Sequence, residues 1–139
     1  MRELEQRAGL MQVESYRSFA EMVKRTKQEL LQRLIEIKKD QKSIVAYGAP
    51  GKGNTLLNYC GIGTDFLDYA VDRNPYKQGR YTPGMHIPIF APSKIAETRP
   101  DYLLILPWNL KDEIMHQMGE IREWGGKFIV PIPETTIYA

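Results

Sequence analysis

The chain has 139 residues, one domain's worth, and a domain of that size buries roughly two thirds of its unfolded surface. Hydrophobic residues make up 42% and charged residues 26%, which excludes a disordered chain and describes a globular one. The formal charge of +2 is too small to demand a nucleic-acid partner, and no arginine-rich run or basic stripe with interleaved aromatics is present. The longest apolar runs, such as Tyr102 to Leu106, fall far short of a bilayer span. Residues 1–20 are studded with charge and hold no segment of signal-peptide type. One cysteine, Cys60, permits neither an internal disulfide nor a cysteine zinc cluster, and its apolar surroundings make it a small buried hydrophobe. These features point to the cytoplasm, with no membrane and no nucleic acid as partner.

In chain order, the first element is a helix. Between Val13 and Lys39 the apolar residues Tyr16, Phe19, Val23, Leu30, Leu34 and Ile37 recur at three- and four-residue steps or their multiples, without Gly or Pro. That spacing predicts a long amphipathic helix over residues 13–39 with one buried stripe. Each stripe residue is worth roughly 1.5–3 kcal/mol if fully buried. Heptad spacing is not sustained, which favours a helix that covers its own sheet over a coiled coil.

From Ser43 on, short apolar runs are punctuated by Gly and Pro. Ser43–Tyr47 reads as a strand, followed by a glycine-rich turn and a helix over Asn54–Cys60. Phe66–Asp72 is a second strand, Arg73–His86 a polar loop, Ile87–Phe90 a third strand and Ser93–Thr98 a helix. Tyr102–Leu106 is a fourth strand, and Leu110–Trp124 a helix packed through Ile114, Met118 and Ile121. Gly125 and Gly126 stop that helix before a fifth strand, Phe128–Pro131. Strands alternating with helices imply βαβ units with right-handed crossovers. The expected fold is α/β: a Rossmann-like three-layer αβα sandwich over residues 43–139 with a mostly parallel five-stranded sheet. The long helix packs on it, and residues 1–139 form one domain.

The turn Tyr47-Gly48-Ala49-Pro50-Gly51-Lys52-Gly53-Asn54-Thr55 lies where such folds point backbone amides and a helix N-terminus at an anion. Glycines allow close approach, Lys52 offers a compact charge, and Asn54 or Thr55 is placed to cap the helix. The spacing is G-x-x-G-x-G, neither the dinucleotide fingerprint nor a P-loop, and a tight turn explains the glycines equally well. Asp72 ends the second strand 19 residues past the last glycine, Gly53, where dinucleotide folds grip a ribose. Its neighbours Asn74 and Pro75 favour a turn cap instead.

The stretch Asp72–Tyr81 gathers Arg73, Lys77 and Arg80 with Tyr76 and Tyr81 beyond the carboxyl end of a strand. The arginines suit a phosphate, and the tyrosines suit a base or sugar face. His86 and His116 lack partner ligands in the pattern, so no metal site is expected. Asn109 ends the fourth strand on the same edge, beside Trp108.

The block Gly48–Ile62 closely resembles a signature of the C-terminal domain of sugar C-methyltransferases. So do Val71–Pro75 with Lys77-Gln78-Gly79, Thr82–Ile89, Leu106–Asn109 and Ile129–Pro133. The resemblance implies a three-part enzyme with an N-terminal zinc-binding segment and a middle S-adenosylmethionine domain, both partners of this one. Its reaction places a methyl group on a ring carbon beside the keto group of a thymidine-diphosphate-linked deoxysugar. A base removes the adjacent proton, the enolate attacks the methyl, and the oxyanion must be stabilised. The base and the methyl donor belong to the middle domain, so no catalytic residue is carried over and no cofactor is expected to bind this chain tightly. The resemblance assigns substrate binding to Gly48, Lys52, Gly53, Asn54, Arg73, Lys77, Arg80 and Asn109. Gly51 departs from the alanine more usual in the family. Two other readings stay open: a nicotinamide- or adenosine-nucleotide-binding module, which Asp72 favours, and a non-catalytic scaffold that docks partners through the long helix.

Overall fold

The computed structural model describes residues 2–132 and 134–139, with side chains for Arg17 and for the described residues from Glu21 on. Six strands form one sheet: β1 (Ile44–Tyr47), β2 (Ala70–Val71), β3 (Ile89–Phe90), β4 (Tyr102–Ile105), β5 (Lys127–Val130) and β6 (Thr136–Tyr138). Their order is β3-β2-β1-β4-β5-β6, with β6 antiparallel to β5 and every other pairing parallel. The helices are α1 (Arg2–Lys39), α2 (Gly51–Cys60), α3 (Lys94–Thr98) and α4 (Lys111–Gln117).

Every residue of β1 is buried, as are Leu103, Leu104 and Ile105 of β4. Strands apolar on both faces require a layer of helix on each side. Successive side chains alternate across the sheet. Ile44, Ala46, Leu104 and Ile129 meet Leu30, Leu34 and Ile37 of α1 and Leu56, Leu57 and Cys60 of α2. Val45, Tyr47, Leu103, Ile105, Phe128 and Val130 meet Ile95, Ile114, Met118 and Ile121 on the other face. Burial pushes the Cys60 thiol pKa up against the pull of Lys27, in keeping with a packed apolar side chain.

Of the stripe expected on α1, Leu30, Leu34 and Ile37 are buried and Val23 is half-buried, while the side chains of Tyr16 and Phe19 lie outside the described residues.

Several expectations need correction, among them the third strand, which is Ile89–Phe90 and not Ile87–Phe90. The sheet has six strands, not five, because Thr136–Tyr138 returns along β5 with Ile137 opposite Ile129. The second strand shrinks to Ala70–Val71, since the Phe66 and Leu67 amides donate to Gly63 O at 3.1 and 3.0 Å and close a turn. The helix after β1 starts at Gly51, so most of the glycine-rich segment is its first turn. The helix expected over Leu110–Trp124 is α4 flanked by 3-10 turns at Trp108–Leu110 and Gly119–Trp124, and its face of Ile114, Met118 and Ile121 is buried as expected.

Leu34 has no exposed surface and belongs to the core cluster that joins α1 to α2 and the sheet. Leu34→Ala should therefore cost about 2–5 kcal/mol in urea unfolding. An unchanged midpoint would show that the second half of α1 does not contribute to this core.

Candidate functional site

In this strand order the chain runs outward from β1 to β2 on one side and then crosses to β4 on the other. The loops leaving β1 and β4 therefore diverge, one to α2 and the other to α4, and a crevice opens between them at the carboxyl ends of the strands. Open α/β sheets bind ligands at such a switch point. A cavity of about 260 Å³ lies there. Tyr47, Gly48, Ala49 and Pro50 wall it after β1, and Asp72, Arg73 and Lys77 after β2. Pro107, Leu110, Glu113, Ile114 and Gln117 form the opposite side.

Beside the cavity both backbone polar groups of Ala49 are held by side chains. Its N–H donates to Asp72 Oδ2 at 2.9 Å, and its carbonyl accepts from Lys77 Nζ at 3.0 Å and Asn54 Nδ2 at 3.3 Å. Lys77 Nζ also lies 3.7 Å from Asp72 Oδ2. The other carboxylate oxygen, Oδ1, accepts from the Asn74 amide at 2.9 Å, and Gln78 Nε2 donates to the Asp72 carbonyl at 2.9 Å. Asp72 is thus the turn cap that its neighbours suggested, and it is a tie to the first loop as well. A nucleoside cofactor needs a carboxylate at this position free to accept from its ribose. Both oxygens here already accept from backbone amides and one lies near Lys77, so part of the carboxylate's capacity is used within the protein, and no step of chemistry is routed through S-adenosylmethionine or a dinucleotide on this chain.

The glycines divide by cause. Gly48 has φ +83, and a Cβ there would fall 2.9 Å from Pro107 Cδ. Gly53 sits where a Cβ would fall 2.8 Å from Leu106 Cβ, so its bareness lets α2 lie against the end of β4. Gly51 has nothing within 4 Å and needs no glycine. Asn54 and Thr55 do not cap α2 as expected; their side chains donate to Ala49 O and Gly51 O, Pro50 stands at the cap position, and no side chain caps the helix. The reason is the early start of α2, which carries both residues past the cap.

The structure brings Gly48, Arg73 and Lys77 together in the cavity. It does not bring Lys52 there: that residue borders a separate apolar groove with Met22, Tyr59 and Trp108. Gly53 is buried, and Asn54 is half-buried with a buried Oδ1 that finds no partner among the described residues. Arg80 and Asn109 are exposed and stand outside the cavity wall. Arg73 pairs with no carboxylate among the described residues. Tyr47, Glu113 and Gln117 escaped the reading of the sequence. Tyr47 had a usable signal, being the last residue of β1 at the edge where this fold class places ligands. Its phenol pKa is pushed up by burial, with Arg73 pulling it down and Asp72 adding to the rise, so it stays a neutral hydrogen-bond donor.

The strand order defines a Rossmann-like αβα domain with a cavity at the carboxyl edge of β1, β2 and β4. Residues 1–133 match the family described as the C-methyltransferase C-terminal domain, and the chain belongs to that family. It is 38% identical over 133 residues to the C-methyltransferase NovU of Streptomyces niveus, in a match that covers 96% of this chain and 32% of NovU. The chain therefore spans about a third of that relative's length. Among solved structures, the UDP-D-quinovosamine 4-dehydrogenase of Vibrio fischeri aligns with a TM-score of 0.47 at 22% identity, over 67% of this chain and 79% of that one.

The two helix glycines should respond with opposite sign to alanine. Gly51→Ala should stabilise by about 0.4–1 kcal/mol, since the added methyl meets open space and restricts the unfolded chain. Gly53→Ala should cost about 1–3 kcal/mol through overpacking against Leu106. Denaturant midpoints check both, and equal shifts would contradict this assignment of cause.

A second expectation concerns alkaline pH. Tyr47 holds its proton more tightly folded than unfolded, so its contribution is complete below the ordinary tyrosine pKa of about 10 and is lost as pH rises beyond it. Stability measured by urea unfolding should fall above about pH 10, and less steeply in Tyr47→Phe.

Proposed function

We propose that this chain is the substrate-holding domain of a C-methyltransferase that acts on a nucleotide-linked keto-deoxysugar, and that the nucleotide end of that substrate rests in the cavity at the sheet's switch point. The observation that carries this reading is the composition of that cavity. Two cations, Arg73 and Lys77, stand beside apolar walls from Pro50, Pro107, Leu110 and Ile114. A nucleoside diphosphate has the matching halves, a flat ring and a doubly charged tail. Arg73 offers a guanidinium fork that grips phosphate oxygens in pairs. Tyr47, Glu113 and Gln117 offer donors and acceptors to the polar edge of a base.

Size supports a shared task. At about 260 Å³ the cavity lies below the roughly 300–1,000 Å³ of sites that enclose a whole small ligand. The sugar ring then extends beyond it, toward the methyl-donor and zinc-binding domains that this reading places on the rest of a longer polypeptide. Bound there, S-adenosylmethionine supplies the electrophilic methyl group. The residues of this chain hold the nucleotide and orient the keto sugar. Arg73 is the direct phosphate-binding position in this proposal, while Gly48 lines the cavity and Lys77 ties its wall together through Ala49 and Asp72. Lys52, Gly53 and Asn54 build or border the turn, and Arg80 and Asn109 lie where an extended ligand or a neighbouring domain reaches the rim. The proposal also takes residues 13–39 as one helix covering the sheet, and the setting as cytoplasmic. Among the described residues no helix is long and apolar enough to cross a membrane.

Amide chemical-shift titration of the chain with thymidine diphosphate tests this reading, with S-adenosylmethionine and NAD in parallel. Saturable shifts at Tyr47, Gly48, Arg73 and Gln117 are expected with thymidine diphosphate alone. Arg73→Ala should weaken that binding at least about tenfold, or roughly 1.4 kcal/mol. Shifts at these residues with NAD and none with thymidine diphosphate would overturn the proposal in favour of a dinucleotide module.

A further inference from the structure

In a dinucleotide-type turn the backbone amides after the first strand face the ligand's pyrophosphate. Here the Ala49 amide already has an anion. Asp72 Oδ2 takes it at 2.9 Å, with only 15% of the Asp72 side chain exposed. The positive partner such a phosphate would seek is committed too, because Lys77 Nζ is 3.0 Å from Ala49 O and 3.7 Å from Asp72 Oδ2. Amide, carboxylate and ammonium form a closed set drawn from the turn after β1 and the loop after β2. Arg73, the next residue, is left outside it, exposed and unpaired among the described residues.

We propose that Asp72 is a built-in anion that closes the glycine-rich turn to phosphate and directs the diphosphate of an incoming nucleotide to Arg73. It acts as a specificity-determining positioning residue. With the carboxylate in place, a phosphate at the turn meets like charge and an amide whose hydrogen is already used. A dinucleotide is thereby refused at the turn, while a nucleotide whose diphosphate lies along the second loop is accepted. The inference uses the crevice as the ligand face but not the identity of the sugar. Inorganic pyrophosphate is therefore the probe, and its outcome is independent of whether thymidine diphosphate binds.

The experiment follows amide shifts during pyrophosphate titration of the wild-type chain and of Asp72→Ala. In the wild type the amides of Ala49, Gly51, Lys52 and Gly53 should stay unmoved. In Asp72→Ala they should gain saturable shifts, with affinity at the turn rising at least about tenfold, because two commitments of the site are released together. Lys77→Gln added to Asp72→Ala should abolish the gain. Asp68→Ala, which removes an exposed carboxylate paired with Lys38, should leave the turn silent and so separates the effect from a change in net charge. If Asp72→Ala does not fold, Asp72→Asn serves in its place: it keeps an acceptor for the turn and drops the charge, and a gain of pyrophosphate shifts at the turn is again expected. Wild-type shifts at the turn equal to the variant's, or no gain in whichever variant folds, would overturn the proposal.

Discussion

Ala49 lies where the chain leaves β1 and bends toward α2, and it is only 4% exposed. Its two polar groups belong to neither the strand ladder nor the helix, and a buried peptide group left unpaired costs about 1–3 kcal/mol. Three side chains meet that demand: Asp72, Lys77 and Asn54. Two of them come from the loop after β2, so satisfying the backbone groups of one residue fastens that loop to the first turn. The same Asp72 orders its own loop through the Asn74 amide, and Gln78 bonds back to its carbonyl. The position of Arg73 follows from these ties, because it lies between the anchored residues 72 and 74. The cavity's shape thus rests on hydrogen bonds internal to the protein.

This arrangement divides the work of the cations. Lys77 is half-buried and spent on structure, whereas Arg73 is exposed and keeps its five donors available. The division suits the chemistry of the two residues. A point charge on a flexible stem suffices to bridge a carbonyl and a carboxylate, while a planar fork is better matched to paired phosphate oxygens. Lys52, which resembled a phosphate ligand in the sequence, lies over the apolar groove between α1 and α2 instead.

The parts of the fold that were legible in the sequence are those set by burial. Ile44–Tyr47, Tyr102–Ile105 and Lys127–Val130 are central strands with almost unbroken apolar runs, and the face of Ile114, Met118 and Ile121 follows helical spacing. What escaped depends on pairing between distant residues. Phe66 and Leu67 are as apolar as a strand, yet their amides close a turn on Gly63. Thr136–Tyr138 is a short edge strand of mixed exposure after a proline-rich stretch, and only its pairing with β5 makes it part of the sheet. At the site, the spacing of Asp72 from the glycines fitted a ribose ligand, and the Asx turn at Asn74 was read from local chemistry. Its second bond, to a peptide 23 positions earlier, has no local signature. Glu113 and Gln117 had none either, since their role depends on which edge of the sheet α4 approaches.

A Rossmann-like layer with its own turn sealed gains a specific advantage under the function proposed here. A methyltransferase works with two ligands that both carry nucleoside parts, the methyl donor and the nucleotide-sugar. Discrimination between two such ligands is a difference of affinities, and obstructing one of them raises it as surely as improving contacts to the other. In the inference drawn here the carboxylate of Asp72 is the obstructing element, since it presents like charge to a phosphate at the turn and already takes the Ala49 amide. The one strong recognition element left at the carboxyl edge is then Arg73 beside an apolar wall, an arrangement that favours a ring with a diphosphate tail over a cofactor lacking one.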